Sequence, residues 1–253
     1  MLNKKFMGKS MAIAILGVMI STPILSNISA LEHTYNEVEI EQSNNEYNET
    51  IIMKYGNFLT EDDYSEVYSV YEQKLSEGIE LTDDEILNLL IEKINEKANQ
   101  PSLYAYNIFG RSVTKEELKL VAKYPTDAVK IFNNSKTASS SAQSLYKSNT
   151  LYLGNGDAFR HAYWNALNVK SVGVTRAKQF ADAHESETPT GNDKTMDLRN
   201  NLIGRNIGKT YINSSNTTIR NKIIQSVNSG RLYRLYNGSI KGKLIATDSS
   251  GRK

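Results

Sequence analysis

Apolar side chains recur three and four positions apart in one stretch of this chain after another. Ile86, Leu89, Leu90 and Ile94 form one stripe, and Phe159, Ala162, Tyr163, Ala166 and Leu167 form a second. Ala177, Phe180 and Ala181 share a face, as do Met196, Ile203 and Ile207. Ile219, Ile223, Ile224 and Val227 repeat the pattern. This is the period of an amphipathic helix with one buried side. The sequence therefore predicts a mainly α fold, a multi-helix bundle. Residues 232–247 are the exception. They alternate around Asn237-Gly238, which predicts a small C-terminal β-hairpin.

Stop and start signals divide the helices. Thr60-Glu61-Asp62-Asp63 opens one, which Gly78 closes, and Thr82-Asp83-Asp84-Glu85 opens the next. Together they read as an acidic helical hairpin. Thr114 caps a third helix, ended by Pro125, and Thr126 or Asp127 starts a fourth. The run 137–141 is rich in Ser and Thr and reads as either a helix start or a loop. Residues 31–48 are polar and Asn/Glu-rich, a composition expected to stay disordered, and 101–111 read as a linker.

Lys4, Lys5 and Lys9 precede an apolar run at 11–20, Pro23 breaks it, and Ile28-Ser29-Ala30 offers a small-residue cleavage site. Residues 1–30 read as a secretory signal peptide, so the expected location is extracellular. The chain has no cysteine, which excludes disulfides and thiol chemistry. Export without cysteine fits a Gram-positive exterior. Charge is unevenly spread. Residues 31–100 hold 18 acidic and four basic side chains, a balance of −14, while 101–253 hold ten and 23, a balance of +13. The basic domain, 101–253, is expected to meet an anionic polymer or lipid surface. The acidic segment, 31–100, reads as a solvated face or as a pro-segment that masks the basic domain.

Chemistry concentrates in residues 157–208. Two of the three histidines, His161 and His184, and the single tryptophan, Trp164, lie there. The segment reads as three helices, the first capped by Asp157 and the second starting near Thr175. Arg160, His161, Trp164, Asn165 and Asn168 form a polar stripe beside the first core stripe. His161 and Asn165 are four apart, so they project one above the other and can reach one metal ion or one substrate group. His184 shares the inward face of the second helix, with Asp182 and Glu185 beside it, as a metal-ligand pair or an acid/base pair. On the third helix Asp197, Asn201, Gly204 and Gly208 line one face, next to a face carrying Asn200. Two adjacent asparagines in mid-helix need a reason, because Asn is a poor helix former. Their amides can orient a ligand or fix packing. Gly204 and Gly208 allow a second backbone to come close.

The wording D-A-F-R-H-A-Y-W-N-A-L, then F-A-D-A-H-E, then M-D-L-R-N-N-L-I-G-R resembles a domain of unknown function found in secreted bacterial proteins. It is similar to modules at the C-termini of polymorphic-toxin-like proteins. The resemblance runs from about Val113 to Thr247 and implies no particular activity. It departs at Arg199, where the family pattern holds His or Tyr. A ligand histidine at that position would be missing here, which counts against a metal.

Two functions follow as expectations. The first is a hydrolase, toxin-like in setting, acting on an anionic polymer or phosphodiester. His161, His184, Asp182 and Glu185 are its candidate catalytic residues. Arg160, Trp164, Asn165, Asn200, Asn201 and Arg205 would bind substrate. His161, His184, Asp182 and Asp197 are candidate ligands for a divalent metal such as zinc, with Asp157 completing or orienting the set. A metal-free version uses Glu185 and His184 as acid and base. The second function is a non-catalytic secreted module that binds cell-wall or host anionic surfaces, in which the same polar residues form a structural network.

Overall fold

The computed structural model describes residues 44–98 and 113–253; the leader at 1–30, most of the polar run 31–48, and the linker at 101–111 lie outside the described residues. Eight α-helices and a two-stranded antiparallel sheet make up the described part. The helices are α1 (Asn44–Tyr55), α2 (Glu61–Ser76), α3 (Asp83–Ala98), α4 (Lys115–Lys123), α5 (Pro125–Leu145), α6 (Asn155–His184), α7 (Asn192–Thr210) and α8 (Asn216–Asn228). Strands β1 (Tyr233–Leu235) and β2 (Leu244–Ala246) pair with Arg234 opposite Ile245. The mainly α bundle with a C-terminal hairpin is thus as the periodicity predicts. No described helix is long and apolar enough to cross a membrane.

Local signals set most boundaries. Thr60 and Asp63 form a reciprocal capping box at α2, and Thr114 and Glu117 form another at α4. Pro125 occupies the first turn of α5, where its missing N–H costs nothing. Three details differ from the sequence reading. Residues 44–48 are helical, because α1 lays Ile52 into the core. The Ser/Thr run at 137–141 continues α5, whose Ala138 and Ala142 are buried. Asp157 is not the cap of α6. Gly154 is, and the Asp157 carboxylate reaches back to the Leu153 N–H at 2.6 Å.

Residue Gly173 governs the middle of the fold. Its φ of 80° and ψ of 167° interrupt α6, a conformation open to glycine and strained for other residues. In an unbroken helix His161 and His184 would lie roughly 34 Å apart, at about 1.5 Å per residue. Their ring centroids are 6.4 Å apart, so the two halves of α6 fold back on each other at Gly173.

Helix α7 then crosses the first half of α6. A Cβ on Gly204 would stand 2.2 Å from the Ala162 carbonyl oxygen, and one on Gly208 would stand 2.6 Å from that of Ala166. Only hydrogen fits between the backbones at these two points.

The acidic helices share this core. Tyr64 of α2 stacks on Phe132 of α5 at 4.0 Å, and Phe132 meets Phe180 of α6 edge-on at 6.4 Å. Ser135 donates to Glu61, and Lys136 pairs with Asp62. Residues 42–253 form one compact unit, so the charge boundary near residue 100 is not a boundary in the core.

Candidate functional site

The close crossing of α6 and α7 sets two columns of polar side chains face to face. Asp157, His161 and Asn165 descend one side at four-residue steps, and Asp197, Asn201 and Arg205 descend the other. At the upper level the His161 Nε2 lies 3.5 Å from an Asp157 oxygen and 3.4 Å from an Asp197 oxygen. The three donor atoms all fall within 4.8 Å of one another. Metal–ligand bonds of ~2.0–2.2 Å in a tetrahedron require donor-to-donor edges of about 3.3–3.6 Å. Both imidazole–carboxylate distances fall in that range. The residues present therefore fit a divalent cation, with three protein donors and a fourth position left over. Asp197 is the most accessible of the three, its side chain 14 % exposed.

One level down, the groups satisfy each other. Asn165 donates its amide to the Asn201 oxygen at 2.7 Å and to the His161 carbonyl at 3.1 Å. Arg205 donates to the Asn165 oxygen at 2.8 Å. All three side chains are buried. Burial holds the Arg205 guanidinium below its ordinary pKa, because a charged group out of water loses hydration; Asp182 acts the other way at longer range.

The second half of α6 brings His184 to this cluster. Its Nδ1 bonds to a Glu117 carboxylate oxygen at 2.9 Å, with both side chains buried. Against a carboxylate, which accepts only, Nδ1 is the nitrogen that donates, and this tautomer leaves Nε2 as the acceptor. Glu117 is locked in turn by the Thr114 N–H, and the Thr114 hydroxyl donates to the Ala183 carbonyl. The start of α4 thereby clamps the end of α6. Trp164 packs edge-on against His184 at 5.4 Å and donates its indole N–H to the Ile131 carbonyl, fully inside the core.

The structure brings together His161, Asp197, Asn165, Asn201, Arg205 and His184 from the expected set, makes Asp157, expected to complete or orient it, one of the three donors, and adds Glu117. The other expected residues are not among the three donors. Asp182 pairs with Lys178 on the outer side of α6. The Glu185 carboxylate is buried and accepts from the Thr188 hydroxyl, closing the turn after α6. Asn200 both donates to and accepts from the Tyr233 backbone at 2.9 Å, acting as an extra strand for β1. Arg160 pairs with Asp157. Among the described residues, the one group of three metal-binding side chains is Asp157, His161 and Asp197, so His184 and Asp182 do not share it. Arg199 is exposed and its guanidinium lies over the Tyr233 ring at 5.0 Å, so the departure at that position does not touch the donors.

Glu117 carried a signal in the sequence, as the third residue of a capping box. That signal is local and says nothing of its long-range partner, His184.

This arrangement defines an all-helical domain built around a buried carboxylate–imidazole cluster. A protein-family model described as a domain of unknown function (DUF6973) matches residues 118–231. The matched span contains the whole of both polar columns and starts one residue after Glu117. No curated protein and no solved structure matches the chain.

Proposed function

We propose that the chain is an exported hydrolase, toxin-like in setting, whose site is the Asp157–His161–Asp197 cluster with a divalent metal, zinc first, and whose substrate is a phosphodiester or other anionic polymer. The observation that carries this is the pair of 3.4 and 3.5 Å distances about His161 Nε2, which are right for a metal and too long for good hydrogen bonds. Asp157, His161 and Asp197 would hold the ion, with Arg160 and the Leu153 N–H orienting the Asp157 carboxylate. Bound there, a divalent ion would polarise a phosphoryl oxygen and acidify a water. His184 would take the proton of the attacking water at Nε2, since Glu117 keeps Nδ1 protonated. Export rests on the leader-like start, and the anionic target on the +13 balance of residues 101–253.

A second reading draws support from the hydrogen bonds among Asn165, Asn201 and Arg205. In a non-catalytic module that binds wall or host surfaces, these bonds fix the α6–α7 crossing and nothing more. Metal analysis of the purified mature protein separates the two. About one divalent ion per chain in the wild type, lost in His161→Ala and in Asp197→Asn, supports the enzyme; hydrolysis of phospholipid, nucleic acid or wall polymer should vanish with it. A folded wild type that takes up no divalent metal, and whose variants keep its stability and its surface binding, would favour the binding module.

A further inference from the structure

Arg205 is a buried cation held in place without a counter-ion. It is 6 % exposed. Among the described residues no carboxylate lies within salt-bridge distance of it. The nearest acid that acts on it, Asp182, is engaged by Lys178. Its one hydrogen bond goes to a neutral amide oxygen, that of Asn165. Leaving a guanidinium inside a protein with a single neutral acceptor is costly, and the cost is offset where an anion completes the site. The other arginine at the cluster, the partly buried Arg160, already has Asp157.

Its position is as specific as its charge. Side chains on a helix lean toward the N-terminus, so Arg205 covers the turn above it, which is the turn of Asn201. The bond to Asn165 places the guanidinium at that level. Asp197 and His161 lie one turn further up, roughly 5.4 Å along the axis. On the same turn the Asn201 amide nitrogen is buried and without a hydrogen-bond partner among the described residues. Asn165 thus links the guanidinium to the side chain that carries the unused amide donor, one turn below the level of His161 and Asp197.

We propose that Arg205 and the Asn201 amide form an oxyanion site, adjoining the metal cluster, that takes one phosphoryl group. The inference rests on the proposed hydrolase for the identity of the anion as a substrate phosphoryl, but the anion site itself exists without the metal. Asn165 is then a positioning residue. It accepts from Arg205 and donates to the Asn201 oxygen, which turns the Asn201 nitrogen toward the anion and keeps the guanidinium plane fixed. Bidentate recognition of a phosphoryl group by a preset guanidinium is the chemistry arginine performs and lysine does not.

The test is binding of inorganic phosphate to the full-length mature protein in excess chelator, by calorimetry and by thermal shift. Wild type and Asp197→Asn should bind phosphate alike, because the donor cluster is not needed. Arg205→Met should lose at least about tenfold in phosphate affinity while remaining as stable as wild type or becoming more so, since a buried charge is replaced by a side chain of similar length. Phosphate affinity that is equal in wild type and Arg205→Met overturns the proposal, as does a chelated wild type that binds no phosphate. If Arg205→Met does not fold, hydrogen exchange of the wild type decides: phosphate should slow exchange across α7, and no slowing overturns the proposal. Failure of metal binding with phosphate binding intact would remove the metal hydrolase and leave the anion site standing.

Discussion

Replacing Gly173 by alanine tests the feature that brings the two histidines together. The residue sits at φ 80°, ψ 167°, a region essentially reserved for glycine, and an alanine held there is strained by about 1–3 kcal/mol. An added Cβ meets nothing within 4 Å, so no clash contributes and the whole cost is backbone strain. Alanine also favours helix over glycine by about 1 kcal/mol, but only if residue 173 becomes helical. It cannot do so without straightening α6 into a 30-residue rod, about 45 Å long, which would carry His184 away from His161 and Glu117. While the fold holds, the strain dominates. Gly173→Ala should therefore unfold lower, by roughly 4–8 °C for a 2 kcal/mol loss in a domain of this size. The assay is thermal unfolding by circular dichroism, with size-exclusion chromatography beside it. If alanine wins the competition by straightening the helix, the second half of α6 should seat in a neighbouring copy, and a swapped dimer will elute early. A monomer with a melting temperature equal to or above that of wild type would refute the reasoning, since it would mean that the reversal does not depend on glycine.

Three further outcomes follow from the same geometry. Gly204→Ala places a Cβ 2.2 Å from a backbone oxygen, so the helices must separate; it should cost about 1–3 kcal/mol or more and lower metal uptake as Asp197 withdraws from His161, both read by calorimetry. The Asp248 carboxyl is held well below its ordinary range, first by the Ser250 hydroxyl and then by the Ser250 N–H, Asn155 and Arg234, against some burial. Its contribution should be full above about pH 4 and fall away as acid approaches the depressed pKa, so Asp248→Asn should lower the melting temperature at pH 7 and narrow the gap to wild type at pH 2. Deleting residues 31–100 removes Tyr64 from Phe132; the remainder should lose cooperative unfolding by circular dichroism rather than gain binding to DNA or anionic vesicles, and a stably folded, tighter-binding remainder would make the acidic helices a mask.

The helices and their caps were legible because they depend on near neighbours. Thr60 with Asp63 and Thr114 with Glu117 are three-residue signals, and the 3/4 stripes of α6 and α8 need only one side of water to read. The columns His161/Asn165 and Asp197/Asn201 were legible for the same reason, as were the small gaps at Gly204 and Gly208. A C-terminal hairpin was legible but its turn was not: Leu235 pairs with Leu244, so Asn237-Gly238, both at positive φ, open a longer loop and do not join the strands directly. Residues 44–48 were not, because their helicity comes from the packing of α1 and not from their own polar composition.

The amino-acid sequence by itself determined a bundle of amphipathic helices, a C-terminal hairpin, and polar residues set on inward faces at four-residue steps. Which of those residues meet was decided by the tertiary structure alone. The reversal at Gly173, the crossing over Ala162 and Ala166, and the clamp of Glu117 on His184 join residues tens of positions apart. They selected Asp157, His161 and Asp197 as one cluster, left Asp182 outside it, gave Asn200 to a strand and Arg205 to the interior. Helical period tells which way a side chain points along its own axis. It carries no information about what a distant helix places in front of it.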